Sequence, residues 1–486
     1  MRIALSQLAL IESKRMQVLV SSYSIKIKET LINSANVMKR EAHGTQQPRH
    51  INQIDEEANT AQQSDSPVQS INQRFLKFSL LYRLSCGYIF LGILVFSGWI
   101  PAVHADNNQF SECIARIGSQ ARTVGISDRT VQQVLSKTKY LQRIIELDRR
   151  QPEFTQTFAN YFNIRINDER IQRGRELLVR YRTLLDQIQQ ETGVPAQYLI
   201  SFWGLETNYG THFGDWSVPD SLATLACDQR RSNFFTQELL NAMRIIDVGD
   251  ISPERMIGSW AGAMGHMQFM PSTFLSYAKD IDGDGRRDLW GSIPDALGSA
   301  ANFLQQLGWI SGLNWGQEVR LPPAFDYSLA GRDQMLSQAE WAKLGITTAS
   351  GAPLPPIEQR AALLVPAGHQ GPAFLVTRNF YILMRWNRSE FYALSVGHLA
   401  DRIAGAVALQ RTPPVDTIRI TREQVRQLQI DLSKLGIDAG EADGVMGSAT
   451  RQAISRFQQK TQRIADGHLD VTVLIAIREA ASSLSR

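Results

Sequence analysis

The sequence predicts a mainly α-helical (α+β) protein with a small β-containing subdomain and a separate small helical module at the C-terminal end. Three observations carry this reading. Apolar residues recur at helical spacing from residue 110 to about 190, as in ARTVGISDRTVQQVLSK and RGRELLVRYRTLLDQIQQ, and again over residues 234–246 and 294–307. Between Glu318 and Phe380 the texture changes to short β-branched or aliphatic runs (VRLP, AALLVP, AFLVT) set between Pro and Gly, the mark of a few strands. The paired prolines of RTPPVD, residues 411–416, then read as a linker, and residues 417–486 hold two similar turns, ADGVMG and ADGHLD, each beside an amphipathic helix.

With 486 residues, the length suggests roughly two to four domains. A hydrophobic fraction of 43% and a charged fraction of 20% are ordinary for a globular chain. The formal charge of +4 is mild and no dense Lys/Arg run occurs, which argues against nucleic acid as a partner. A weakly basic protein remains compatible with an acidic polymer.

Residues 1–74 lack a sustained core pattern, and the Gln-, Asn-, Ser- and Asp-rich text of residues 42–72 reads as disordered or as an extension ahead of a mis-set start. Residues 75–105 then read as a secretory signal: a basic flank, the apolar run GYIFLGILVFSGWI, and small residues at Val103 and Ala105, with cleavage expected after Ala105. An uncleaved anchor is the alternative, and either predicts export. Of the three cysteines, Cys86 lies in this segment, which leaves Cys113 and Cys227 as a disulfide candidate in an exported protein or as two buried thiols. The remaining chain divides into a large domain over 106–410, the linker at 411–416 and the C-terminal module at 417–486.

Chemistry concentrates in three stretches. In PAQYLISFWGLETNYG, residues 195–210, Pro195 suits a first helical turn, Ile200, Phe202, Trp203 and Leu205 make the segment apolar, and Asn208 and Gly210 can stop it. One carboxylate, Glu206, stands at its end, where desolvation would favour the neutral form that a general acid needs. A helix-end Glu facing water is the bland alternative. In SWAGAMGHMQFMPS, residues 259–272, four small residues allow close backbone approach, and Gln268 offers amide donors and an acceptor to sugar hydroxyls; a tight packing turn is the alternative. His266 reads as a packing or groove residue rather than a metal ligand. In DIDGDGRRD, residues 280–288, Asp280, Asp282 and Asp284 follow the first half of an EF-hand loop, with Gly285 at the sixth position and Arg286 supplying a backbone carbonyl. The twelfth position is Gly291, so Asp295 is the nearest downstream acid able to close a Ca²⁺ site; a solvated acidic turn is the alternative. Cys-x-x-Cys, His-Glu-x-x-His and Gly-x-Ser-x-Gly do not occur, which removes support for thiol redox, zinc-protease and hydrolase-elbow chemistry.

The set GLETNYG, CDQRRSNFF, SWAGAMGHMQFMPS, DIDGDGRRDLW and RWNRSEFYALSVGHLADRI, in this order, closely resembles the lytic murein transglycosylase B family from residue 110 to about 410. The tail, VRQLQIDLSKLG with ADGVMGSATRQAISRFQ, resembles a three-helix peptidoglycan-binding domain. The resemblance implies a lysozyme-like catalytic domain that cleaves the β-1,4 bond between N-acetylmuramic acid and N-acetylglucosamine without water, leaving 1,6-anhydro ends. It implies Glu206 as the single acid/base. Ser259, Gln268, Arg230, Arg231 and Tyr392 match substrate-binding positions, and Tyr209 and Trp386 are taken with them. It implies no cofactor for the chemistry, a structural Ca²⁺ as a further expectation, and the periplasm of a Gram-negative bacterium as the location. Peptidoglycan glycan strands and other cell-wall enzymes are the expected partners, with membrane contact only through an uncleaved N-terminal segment. Trp386 departs from the Tyr of better-known members, and the acidic loop is one residue longer. A non-catalytic wall-binding protein and a hydrolytic muramidase are the competing readings.

Overall fold

In the computed structural model the described residues are 103–150, 157–414 and 420–484. The expectations for residues 1–74 and for nearly all of the signal segment lie outside them; the expected cleavage site after Ala105 falls in the first turn of the first described helix, Val103–Thr123. Among the described residues no helix is long and apolar enough to cross a membrane.

Helices α1 (Val103–Thr123), α2 (Asp128–Leu135) and α3 (Gln142–Arg150) form one flank. Ser127 caps α2 by accepting the Thr130 N–H, which satisfies one of the free donors of a helix start. Then come α4 (Phe158–Arg165), α5 (Asp168–Arg180), α6 (Arg182–Thr192) and the central α7 (Ala196–Thr207). Gly193, in the left-handed region at φ 70°, ends α6 and lets the chain reverse into α7. Pro195 is the N-cap of α7, with extended backbone (φ −66°, ψ 139°), one position earlier than its predicted place in the first turn. Asn208 stops the helix in the left-handed conformation, as its type suggests.

A helix this apolar is enclosed nearly all round: Leu199, Ile200 and Phe202 are fully buried. Truncating one of them to Ala would cost about 2–5 kcal/mol. The pair β1 (Trp216–Ser217) and β2 (Ile257–Gly258) flanks α8 (Val218–Ala226) and α9 (Ser232–Asp247). Cys113 of α1 is bonded to Cys227 at the end of α8, with Cα atoms 5.9 Å apart. Helices α10 (Pro271–Tyr277) and α11 (Ile293–Gln306) complete the helical body before the chain enters the sheet.

The β subdomain is a five-stranded antiparallel sheet of β3 (Gly316–Arg320), β4 (Met335–Ser337), β5 (Thr347–Thr348), β6 (Arg360–Leu364) and β7 (Ala373–Val376), in spatial order β4-β6-β7-β3-β5. Strands β3, β6 and β7 are the three apolar runs read from the sequence. With α12 (Gln338–Lys343) the sheet encloses its own core around Trp341, Leu363 and Leu375. Helices α13 (Arg378–Trp386) and α14 (Glu390–Ile403) return to the helical body, where the Ser201 hydroxyl of α7 donates to the Val396 carbonyl of α14 at 2.7 Å.

The C-terminal module is α15 (Arg422–Lys434), α16 (Ser448–Lys460) and α17 (Val471–Ser483), packed around Leu428, Ile454 and Ile477. Its two similar turns are built alike. Gln429 donates to Asp443 Oδ1 at 3.1 Å and accepts the Gly444 N–H at 2.9 Å; Gln458 does the same with Asp466 and Gly467 at 2.9 and 2.8 Å. The module is fastened to the catalytic domain by His369 Nδ1 against Asp466 Oδ2 at 2.7 Å and by Arg451 against Glu390 at 3.3 Å. Of the linker, Arg411 is fixed with Gln410: their backbone N–H groups donate to the Glu318 carboxylate of β3 at 2.9 and 2.8 Å.

Candidate active site

Glu206 lies in the last turn of α7, half-buried, and Tyr392 of α14 donates its phenolic hydrogen to Glu206 Oε1. Tyr392 is buried, and burial first, then the Glu206 charge, holds its hydroxyl well above the usual tyrosine range. The phenol therefore stays protonated and remains a donor at any working pH. Its backbone is set by Ser389, the N-cap of α14, whose hydroxyl accepts the Tyr392 N–H at 3.3 Å. Arg165 lies over the Tyr161 ring at 3.6 Å, and its positive charge also acts on Tyr392.

One turn before Glu206, Phe202 stacks on Trp386 with centroids 4.1 Å apart, and Phe269 and Phe303 approach the same indole at 5.3 and 5.2 Å. Trp386 is thus half-buried in an aromatic wall beside the acid, an arrangement able to pack against a sugar ring face.

The segment 259–272 closes over the end of α7. His266 is its fastening. Its Nδ1 accepts the Trp203 indole N–H at 2.9 Å, its carbonyl accepts the Thr207 hydroxyl at 2.9 Å, and burial lowers its pKa to about 4. The ring is neutral above that pH, as an acceptor must be. Gly210 presses on it so closely that a Cβ would stand 2.3 Å from the imidazole, and Gly210 has φ 79°, which excludes other residues twice over. Ser259 Oγ accepts the Ala263 N–H at 3.0 Å, so it shapes the turn. Gln268, at φ 49°, donates from Nε2 to the Phe213 and Gly265 carbonyls at 3.1 and 3.0 Å; its side-chain carbonyl has no partner among the described residues.

Tyr209 and the Arg pair are held by partners that the sequence did not reveal. Tyr209 faces inward: it is 8% exposed, its hydroxyl donates to the Arg170 carbonyl at 2.7 Å, and its ring packs on Gly174 and Gly204, so it packs in the core. Arg230 and Arg231 are not bare: both bind the buried Asp148 carboxylate, Arg230 at 2.7 Å, and present only part of their guanidinium surface outward. Asp148 was not among the predicted site residues, since nothing in its local sequence, 82 residues before Arg230, marks it as their anchor.

In the acidic loop, oxygens of Asp280, Asp282 and Asp284 come within 4.8 Å of one another, all exposed. Asp280 accepts the Gly283 and Gly285 N–H groups at 2.7 and 2.9 Å, and the Arg286 guanidinium pairs with Asp284 at 3.0 Å. Asp295 does not join the three acids. It is fully buried in the first turn of α11 and accepts the Ile281 and Asp288 N–H groups of the acidic loop at 2.7 and 2.8 Å, so the loop backbone folds around its carboxylate.

Residues 109–401 match the family described as Transglycosylase SLT domain, and residues 421–477 match Putative peptidoglycan binding domain. The chain belongs to the transglycosylase SLT family. It is 30% identical over 297 residues to the membrane-bound lytic murein transglycosylase B of Escherichia coli K12, covering 58% of this chain and 79% of that one. Among solved structures it is similar to SltB3 of Pseudomonas aeruginosa, in complex with NAG-anhNAM-pentapeptide, at 41% identity and TM-score 0.74, covering 76% of this chain and 99% of that one. It is also similar to the E. coli lytic transglycosylase Slt35 in complex with calcium, at 28% identity and TM-score 0.53, covering 63% and 95%. This lytic transglycosylase therefore carries a lysozyme-like catalytic domain and a C-terminal peptidoglycan-binding domain.

Proposed function

We propose that the enzyme cleaves the β-1,4 bond between N-acetylmuramic acid and N-acetylglucosamine in peptidoglycan and forms 1,6-anhydro-N-acetylmuramic acid, with Glu206 as the only protein acid/base. The observation that carries this is the Glu206–Tyr392 contact at the end of a buried helix in a transglycosylase fold. Protonated Glu206 gives its proton to the bridging oxygen as the C1–O bond breaks. The resulting carboxylate takes the proton of the muramic C6 hydroxyl as that oxygen bonds to C1. Every atom of the product comes from the substrate, no water is consumed, and Glu206 ends protonated for the next cycle. Ordinary glycosidases need two carboxylates because one must activate water or attack C1; an intramolecular nucleophile removes that need. Tyr392 holds the carboxylate in place between the two proton transfers, and the Trp386 wall packs against the sugar.

The C-terminal module holds the glycan polymer near this site; the wall substrate supports a cell-envelope location, which we take to be the periplasm. The geometry of the acidic loop fits a structural Ca²⁺ held by Asp280, Asp282 and Asp284, since their oxygens already converge and the glycine turns are formed. Asp295 organises the loop from within. The ion would cancel the repulsion of three carboxylates and takes no part in bond cleavage.

The test is Glu206→Gln. The variant should clear peptidoglycan at least a hundredfold more slowly while still sedimenting with sacculi through its C-terminal module. Clearing at the wild-type rate would show that another group is the acid.

A further inference from the structure

A cavity of about 240 Å³ lies where the C-terminal module meets the catalytic domain, and the chemistry proposed for Glu206 makes no use of it. Its walls come from both: Met384, Glu390 and Phe391 on one side, Met446, Arg451 and Leu469 on the other. Glu390 and Phe391 open α14, the helix that also carries Tyr392.

The charge in this cavity is unbalanced. Three guanidiniums line it, from Arg332, Arg388 and Arg451. Glu390 alone answers two of them, Arg332 at 2.6 Å and Arg451 at 3.3 Å. The other acid, Asp466, is already engaged: one oxygen faces His369, and the other accepts from Gln458 and from the His468 N–H. Arg388 is exposed and has no ion-pair partner among the described residues. A guanidinium offers a planar fork of donors matched to a carboxylate. The methionines and Phe391 beside it offer adaptable apolar surface. The volume falls below the roughly 300–1,000 Å³ of a drug-sized site, too small for a disaccharide but suited to the end of a peptide.

We infer that this inter-domain cavity is a binding site for the carboxylate-bearing stem peptide of the substrate, with Arg388 as the residue that receives the carboxylate. The inference rests on peptidoglycan being the substrate, and it assigns peptide recognition to a site built only when the two domains are docked. The C-terminal module thereby gains a second role, as one wall of a peptide pocket on the helix that carries Tyr392.

The experiment is calorimetric titration of the full-length Glu206→Gln protein with the stem pentapeptide freed of sugar, and with the same peptide fully methyl-esterified. The acid form is expected to bind at least tenfold more tightly than the ester. Arg388→Ala should abolish that preference and Arg388→Glu should invert it. Arg388 is exposed in the short connection between α13 and α14, so neither change removes a fold contact. Equal affinity of acid and ester, no binding of either, or an unchanged preference in both variants would overturn the site. Because binding to an inert protein is read here, this outcome is independent of whether the wild-type products are anhydro sugars.

Discussion

Tyr392 donates to Glu206 across 186 residues of sequence, from the first turn of one helix to the last turn of another. The contact joins two helices that pack along their length, so the acid is held by the fold rather than by a loop. A hydrogen bond donated to a carboxylate favours its charged form.

Removing that donor follows directly. Tyr392→Phe should lower kcat about ten- to a hundredfold, the range for losing a hydrogen bond to a charged group. The alkaline limb of the rate profile should move to higher pH, since the anion has lost support. Clearing rates between pH 4 and 9 measure both, and an unchanged profile would show that Tyr392 only fills space.

Asp401 provides a pH signature in stability. It accepts the Trp315 indole N–H at 2.9 Å, yet burial raises its pKa from 3.8 to about 7. In the unfolded chain it ionises near 3.8, so the native state binds the extra proton between these values. Stability is complete below about pH 4, falls as pH rises to about 7, and is level above, by roughly 4 kcal/mol at most. Asp401→Asn should flatten this slope and melt higher than wild type at pH 8. A slope unaltered by the substitution would place the titration elsewhere.

The bond between Cys113 and Cys227 closes a loop of 114 residues. Breaking it with Cys113→Ser and Cys227→Ser should cost about 2–5 kcal/mol, mostly by freeing the unfolded chain. Urea denaturation of the double variant against wild type, both without reductant, reads the difference directly.

Calcium should raise the melting temperature of wild type, because a ligand held only by the native state stabilises it. Asp280→Asn should remove the increase, whereas Asp295→Asn should destabilise the protein with or without the ion, since Asp295 serves backbone N–H groups. A melting temperature indifferent to calcium would leave the loop as a solvated acidic turn.

Residues 195–210 show what a sequence makes legible. Local chemistry located the helix, its Asn208 stop and its lone acid, because helix spacing and caps are short-range properties. Residues meeting only through tertiary structure stayed hidden. Asp148 anchors the Arg pair from 82 residues away, and Trp203 and Thr207 grip His266 from 63 and 59. Tyr209 neighbours Glu206 in sequence, yet its φ of 61° turns the chain back and sets the ring beneath Gly204. Strands β4 and β5, three and two residues long, are too short to carry an alternating pattern.

In the proposed reaction the substrate's own hydroxyl, not water, attacks C1 once Glu206 has protonated the leaving oxygen. Digesting purified sacculi with the wild-type enzyme and weighing the released muropeptides tests it most directly. Non-reducing 1,6-anhydro products are expected, each lighter by one water than its hydrolytic counterpart. Products one water heavier, with reducing ends, would contradict it and make the protein a muramidase.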